Sequence, residues 1–296
     1  MTTPPEPIGW PGDHPARTDP ALAPWAQGLH EVCPGSRVLR TLRHVPGRRV
    51  AAQVRTGAGE VAVAKVFARP RARGNDRRLR ALAGGRAGAV LPRPIGADRT
   101  GHVLAVGFTP GTPMNDLDDS SYLLAAGLAG EALRRLHDCR VALDRTWTLQ
   151  HEVRQLLATC GPVTTGPARA VLAGTGRATA ARGEHDVVCG HRDFHPQQVV
   201  LQDGGTVGLI DLDDAADAPR ALDTGNFTAH LQLDAMQGRR NEQVAVEAVS
   251  RFLGGYGSAG AAHSWWEELS LLRLAALAET RQGDAHACAA VLGRLS

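Results

Sequence analysis

Apolar and polar residues alternate along the first third of the chain, then recur at helical spacing along most of the remainder. Val38-Leu39-Arg40-Thr41-Leu42, Val50-Ala51-Ala52-Gln53-Val54 and the run from Glu60 to Phe67 read as strands, and Asn75-Asp76-Arg77-Arg78-Leu79-Arg80 reads as an Arg-rich helix. Tyr122 to His137 places Leu123, Leu124, Leu128, Leu133 and Leu136 at helical intervals. Ser264 to Ala278 does the same with Trp265, Trp266, Leu269, Leu272 and Ala276, a broad apolar face whose default destination is the core. One β-hairpin interrupts the helices: Val199-Val200-Leu201 runs out, Asp203-Gly204-Gly205 turns, and Val207-Gly208-Leu209-Ile210 returns. Proline density over residues 1–28 predicts an extended arm, with Trp10 and Trp25 able to pin it to the body. The pattern predicts an α+β chain in three parts: the Pro-rich arm over 1–28, a small antiparallel-sheet lobe over 29–111, and a larger, mainly helical lobe over 112–296.

Composition narrows the class. With 296 residues and 43% hydrophobic content, the chain can bury one large core or two modest ones. No apolar run is long enough to cross a bilayer and the start lacks the basic-then-apolar order of a secretory signal, so a cytoplasmic location is expected. The five cysteines are odd in number and include no C-x-x-C pair, which argues against a disulfide framework or a zinc knuckle. Residues 1–100 carry 17 Lys/Arg against 7 Asp/Glu, and the remainder 16 against 23. This basic first third lacks interleaved aromatics, so it is expected to bind nucleotide phosphates rather than nucleic acid. Arginine dominates the cations throughout, yet Lys65 is the only lysine. A compact ammonium on a V-A-x-K strand approaches phosphate oxygens as a point charge that a planar guanidinium does not reproduce.

Candidate chemistry concentrates in residues 191–213, HRDFHPQQVVLQDGGTVGLIDLD. The hairpin brings Gln198 and Asp211 side by side, with Asp193 on the loop before it. Asp213, two residues beyond Asp211 on a strand-like stretch, would share its face and suit a second metal ion or the acceptor; an Asp after a strand equally often forms a turn. His191 is expected to donate to a backbone carbonyl, and Asp223 to accept from amides of the loop.

These motifs resemble the aminoglycoside phosphotransferase family of the protein-kinase-like fold. That family carries H-G-D-x-H-P-x-N, then I-D-x-x-x-A, then D-P-x-x-D-x-(A/G). Here His191-Arg192-Asp193-Phe194-His195-Pro196-Gln197-Gln198, Ile210 to Ala215, Asp217-Ala218-Pro219 and Asp223-Thr224-Gly225-Asn226 stand in that order. Phe108-Thr109-Pro110-Gly111-Thr112-Pro113 resembles the segment between the lobes, and Ala132 to His137 the helix that buttresses the loop. The likeness spans roughly residues 36 to 290 and is specific in the block 191–226. It implies a bilobal fold and transfer of a phosphoryl group from ATP or GTP with Mg²⁺. Asp193 would orient the acceptor hydroxyl, His195 assist as a proton-dependent donor, Gln198 and Asp211 hold the metal, and Lys65 steady the α/β-phosphates.

Three departures qualify the likeness. Gln198 stands where the family has Asn, which keeps the amide oxygen on a side chain one methylene longer. No Glu occurs between Glu60 and Glu131, leaving Asp76 as the nearest substitute partner for the lysine. No G-x-G-x-x-G precedes Lys65; Pro46-Gly47-Arg48-Arg49 would cover the nucleotide through Arg48 or Arg49. The main rival is a weakly active or inactive nucleotide-binding scaffold of the same fold, against which stands the joint presence of Lys65, Asp193 and Asp211. Walker-type ATPases are excluded because G-x-x-x-x-G-K needs a lysine with other spacing, and Gly174-Thr175-Gly176 lacks the strand–helix context of a dinucleotide site. The resemblance implies as acceptor a small molecule such as an aminoglycoside or amino sugar, or Ser/Thr of a peptide natural-product precursor. The acidic balance around Asp213, Asp214, Asp217, Asp234, Glu267 and Glu268 suits a cationic acceptor and equally a solvated surface.

Overall fold

The computed structural model describes residues 9–85, 87, 90–173 and 186–295, so Gly174-Thr175-Gly176 lies outside the described residues. The chain divides into two compact units, residues 1–84 with 91–110, and residues 85–90 with 111–296. Each is described by itself.

The first unit is built on a five-stranded antiparallel sheet in the order β1-β2-β3-β5-β4. Its strands are β1 (Arg37–Val45), β2 (Arg49–Arg55), β3 (Val61–Phe67), β4 (Pro94–Ala97) and β5 (Val103–Gly107). The period-2 alternation works as expected: Val50, Ala52 and Val54 of β2 and Ala62, Ala64 and Val66 of β3 are fully buried. The Arg-rich helix, α3, runs over Ala72–Ala83.

From residue 9 onward the Pro-rich stretch is folded rather than extended. It forms α1 (Pro15–Thr18), a 3₁₀ turn (Ala23–Trp25) and α2 (Gly28–Val32). Pro15 sits in the first turn of α1, where the missing N–H is not needed, so proline here starts a helix instead of preventing one. Ala16, Leu22, Ala26 and Leu29 join the same core cluster as the sheet's buried face. Both tryptophans hold the segment down: Trp10 Nε1 donates to the Ala26 carbonyl at 2.9 Å, and Trp25 stacks on His102 at 3.6 Å between ring centroids.

The second unit is mainly helical: α4 (Asp119–His137), α5 (Leu149–Thr159), α6 (Thr165–Ala173), α7 (Arg220–Met236), α8 (Glu242–Tyr256), α9 (His263–Leu277) and α10 (Ala285–Leu295). Asp118 caps α4 by accepting from Ser121 N, and Asn241 caps α8 by accepting from Val244 N, both at 2.8 Å. Trp265 and Trp266 of α9 lie buried in a cluster with Leu149, Leu156 and Leu222, so the aromatic stripe is core. Short strands carry the candidate chemistry: β6 (Thr112–Pro113), β7 (Val187–Gly190), β8 (Val199–Gln202), β9 (Thr206–Leu209) and β10 (Ala216–Pro219). The hairpin β8–β9 forms as expected, closed by Gly204 at φ 93° and Gly205 at φ 75°, which only glycine adopts without strain. No helix among the described residues is long and apolar enough to cross a membrane.

Candidate active site

The loop at residues 191–195 leaves β7 and is held on every side but one. β7 pairs antiparallel with β10, which delivers the chain directly into α7. In the first turn of α7 the buried Asp223 accepts from two loop amides, His191 N at 2.7 Å and Arg192 N at 2.6 Å. Its Oδ2 also accepts from His137 Nε2 at 3.1 Å, and His137 Nδ1 in turn meets the Tyr256 hydroxyl at 2.8 Å. Burial alone would raise the Asp223 carboxyl, but the hydrogen bond and charge of His137, with those of His191, hold it below the usual carboxylate range. His191 Nε2 donates to the Ile210 carbonyl at 2.8 Å, tying the loop to the end of β9. Phe194 is fully buried and stacks on Phe227 at 4.8 Å, and Phe227 on Phe252 at 4.3 Å. Between these anchors the Asp193 side chain remains 45% exposed. The loop therefore presents one carboxylate from an immobilised backbone.

Gln198 stands opposite Ile210 at the open end of the hairpin, with Asp211 the next residue along, because Val199 pairs with Leu209 and Ile210 N donates to the Gln198 carbonyl at 2.9 Å. The Gln198 amide nitrogen lies 3.1 Å from His195 Nε2, so the ring nitrogen accepts and the amide oxygen is left for another donor or a cation. His195 stacks on the half-buried His230 at 4.7 Å, and lies 3.8 Å from Asp193. Burial lowers the pKa of His195 against the opposing charges of Asp193 and Asp211, so the neutral ring predominates at pH 7. The ring is thus placed against the Gln198 carboxamide. Asp211 has φ 60°, a left-handed conformation that Asp tolerates better than most residues. Leu212–Asp214 then forms a 3₁₀ turn in place of the strand continuation, so the period-2 argument for a shared face of Asp211 and Asp213 fails, and Asp213 is buried. Two oxygen-bearing side chains at one hairpin end fit Mg²⁺, which takes one or two protein ligands and completes its shell with phosphates and water.

Lys65, Arg48 and Asp76 belong to the sheet unit. Lys65 lies on β3 between partners Ala51 and Leu104, with 9% exposure. Arg48 is exposed in the turn between β1 and β2. That turn is fixed by a residue the sequence did not single out: Asp19 accepts from Gly47 N at 2.8 Å and His44 Nε2 at 3.0 Å. The hydrogen bond from His44 foremost, then that from Gly47, keep the Asp19 carboxyl low. One Asp76 oxygen accepts from Arg80 Nε at 2.8 Å, an i,i+4 pair on α3; the other is buried with no hydrogen-bond partner among the described residues.

Several acids expected to favour a cationic acceptor are already engaged. Asp214 pairs with Arg145 at 3.1 Å, and Asp234 with Arg239 at 2.6 Å and the Tyr122 hydroxyl at 2.8 Å. Asp217 receives Leu143 N at 3.3 Å. The charges of Asp214 and Asp234 are balanced by arginines, which sequence counting could not reveal. Also missed was Arg192, whose φ of 71° puts an arginine where glycine is normally needed, at a strain of roughly 1–2 kcal/mol. Its guanidinium centre sits 3.3 Å from the Trp147 ring centroid, and burial foremost pushes its pKa down to about 10, still charged at pH 7.

Solved structures with this architecture include an aminoglycoside phosphotransferase of Streptomyces rimosus, at 18% identity and TM-score 0.55, covering 79% of this chain and 92% of that one. A choline/ethanolamine kinase family protein of Mesorhizobium loti aligns at 16% identity and TM-score 0.61, over 95% and 91% of the two chains. An ethanolamine kinase of Plasmodium vivax aligns at 10% identity and TM-score 0.61, over 91% and 85%. At these identities the likeness is one of fold. No curated protein matches the chain by sequence. The model of the phosphotransferase enzyme family matches residues 41–269, a span that contains the strand of Lys65, the loop of Asp193 and the hairpin of Gln198 and Asp211. The chain belongs to the phosphotransferase enzyme family.

Proposed function

We propose that this protein transfers the γ-phosphoryl group of ATP or GTP to a hydroxyl of a small molecule. The observation that carries the reading is the exposed carboxylate of Asp193 on a loop pinned by Asp223, His191 and Phe194, joined through His195 to Gln198 at the hairpin end that leads into Asp211. Phosphoryl transfer asks the protein for positioning and charge neutralisation more than for covalent chemistry, and a rigid loop bearing one carboxylate suits that demand. Asp193 would accept or orient the proton of the attacking hydroxyl. Gln198 and Asp211 would hold Mg²⁺, which when bound neutralises charge on the donor phosphates. Lys65 would contact the α/β-phosphates as a point charge, and the Asp19-fixed turn would present Arg48 to the nucleotide. His195 would orient Gln198.

The Streptomyces rimosus phosphotransferase has been solved with ADP and streptomycin, and a spectinomycin phosphotransferase with AMP, which supports a nucleotide donor and an aminoglycoside or amino sugar among the acceptors to try first. The test supplies ATP or GTP, Mg²⁺ and a pooled library of hydroxylated acceptors, with mass spectrometry seeking a gain of about 80 daltons, the mass of one phosphoryl group. Asp193→Asn should lower turnover by roughly 10²–10⁴-fold and leave nucleotide affinity within about twofold. Unchanged turnover in that variant removes Asp193 from its role.

A further inference from the structure

Both peptide neighbours of Asp193 are ends of one side-chain chain that leaves the loop, crosses three helices and returns. Arg192 stacks on Trp147 at 3.3 Å, and Trp147 Nε1 donates to Glu152 of α5 at 2.9 Å. Glu152 pairs with Arg273 of α9 at 3.5 Å; Arg273 donates to Asn226 of α7, and Asn226 Nδ2 donates to the Phe194 carbonyl at 2.8 Å. Residues 192 and 194 are thus held from one continuous network, with residue 193 between them. The family pattern has glycine at position 192, the residue suited to φ 71°; this chain has instead an arginine that is half-buried, strained in its backbone and stacked on an aromatic ring. An arginine tolerated in that conformation is held there by its contacts.

We propose that Arg192, through its stack on Trp147, is a positioning residue that fixes the orientation of Asp193 and links it to the segment entering α5. The inference rests on the phosphotransferase reading of Asp193. Glycine at 192 relieves the left-handed backbone, so the Arg192→Gly protein should fold while its loop loses the side-chain anchor at residue 192. Small displacements of a reacting group have large kinetic effects, so the loss falls on turnover rather than on nucleotide binding.

The test compares wild type, Arg192→Gly, Arg192→Lys, Trp147→Leu and the double variant Arg192→Gly/Trp147→Leu by amide hydrogen exchange and by γ-phosphoryl release from ATP, to an acceptor or to water. Amides 191–195 should exchange about tenfold faster or more in Arg192→Gly and in Trp147→Leu, with α4 and α7 unchanged and no further increase in the double variant, because the two residues act as a unit. kcat should fall on the order of tenfold or more, with KM for ATP within about twofold, and Arg192→Lys should restore part of the loss. Unchanged exchange in Arg192→Gly, additive effects in the double variant, or faster exchange with full kcat overturns the proposal. A wild-type protein that releases no γ-phosphate to any acceptor or to water refutes the phosphotransferase reading instead, and the exchange data still decide whether Arg192 orders the loop.

Discussion

Replacing Asp223 by Asn keeps its volume and removes one acceptor from a site where both oxygens are used. Oδ2 receives His191 N and His137 Nε2, and Oδ1 receives Arg192 N, so whichever way the carboxamide turns, at least one buried donor faces an NH₂ group. A hydrogen bond to a charged acceptor is worth roughly 1.5–3 kcal/mol net and an orphaned buried donor costs about 1–3 kcal/mol, which together predict a loss of roughly 3–5 kcal/mol. Set against a typical total of about 5–15 kcal/mol, this is large enough to lower Tm by roughly 10 °C. The pH dependence carries a definite sign. The folded carboxyl is held below its ordinary value, so its contribution is complete above the unfolded pKa of about 4 and disappears as pH falls through the folded value. Urea denaturation followed by circular dichroism from pH 7 to 3 should show a constant gap between wild type and variant down to about pH 4, then a narrowing one. A gap under about 1 kcal/mol at pH 7, or one that widens on acidification, would refute the assignment of Asp223 as the charged clamp of the loop.

Lys65→Arg keeps the charge but changes its shape, and should raise KM for ATP on the order of tenfold in steady-state assays. Gly130 on α4 faces the backbone of α8, where an added Cβ would collide with the Phe252 carbonyl and lie 2.6 Å from Tyr256 N. Gly130→Ala should therefore destabilise by roughly 3 kcal/mol in thermal or chemical unfolding. Asp19→Ala releases the amide of Gly47 and should raise KM for ATP with kcat unchanged, the signature of lost uniform binding.

The hairpin, the helices α4 and α9 and the strands β2 and β3 were legible along the chain because their signals are local. Alternation of Val and Ala marks a half-buried strand, leucines at helical spacing mark a helix face, and Asp-Gly-Gly marks a turn that needs positive φ. The placement of Gln198 opposite Ile210, next to Asp211 in the chain, followed from that turn alone. The lone lysine among arginines stood out for the same reason, as a property of the string itself.

What the tertiary structure decided depends on residues far apart in sequence. Proline counting gave an extended arm, but Pro15 at a helix start and a shared apolar core fold residues 9–32 onto the sheet. Period-2 reasoning carried Asp213 onto the face of Asp211, and the left-handed backbone at Asp211 broke that period. Among the acids counted as a surface charge, Asp214 is partnered by Arg145, 69 positions away in the sequence. The chain from Arg192 to Phe194 uses residues at 147, 152, 226 and 273, and a sequence pattern cannot place such positions together. Short-range periodicity fixes which elements form, because each backbone hydrogen-bonds and buries its own face locally. Which polar groups meet in the interior is set only when those elements pack, since a buried donor or charge must find its partner from whatever segment the fold brings alongside.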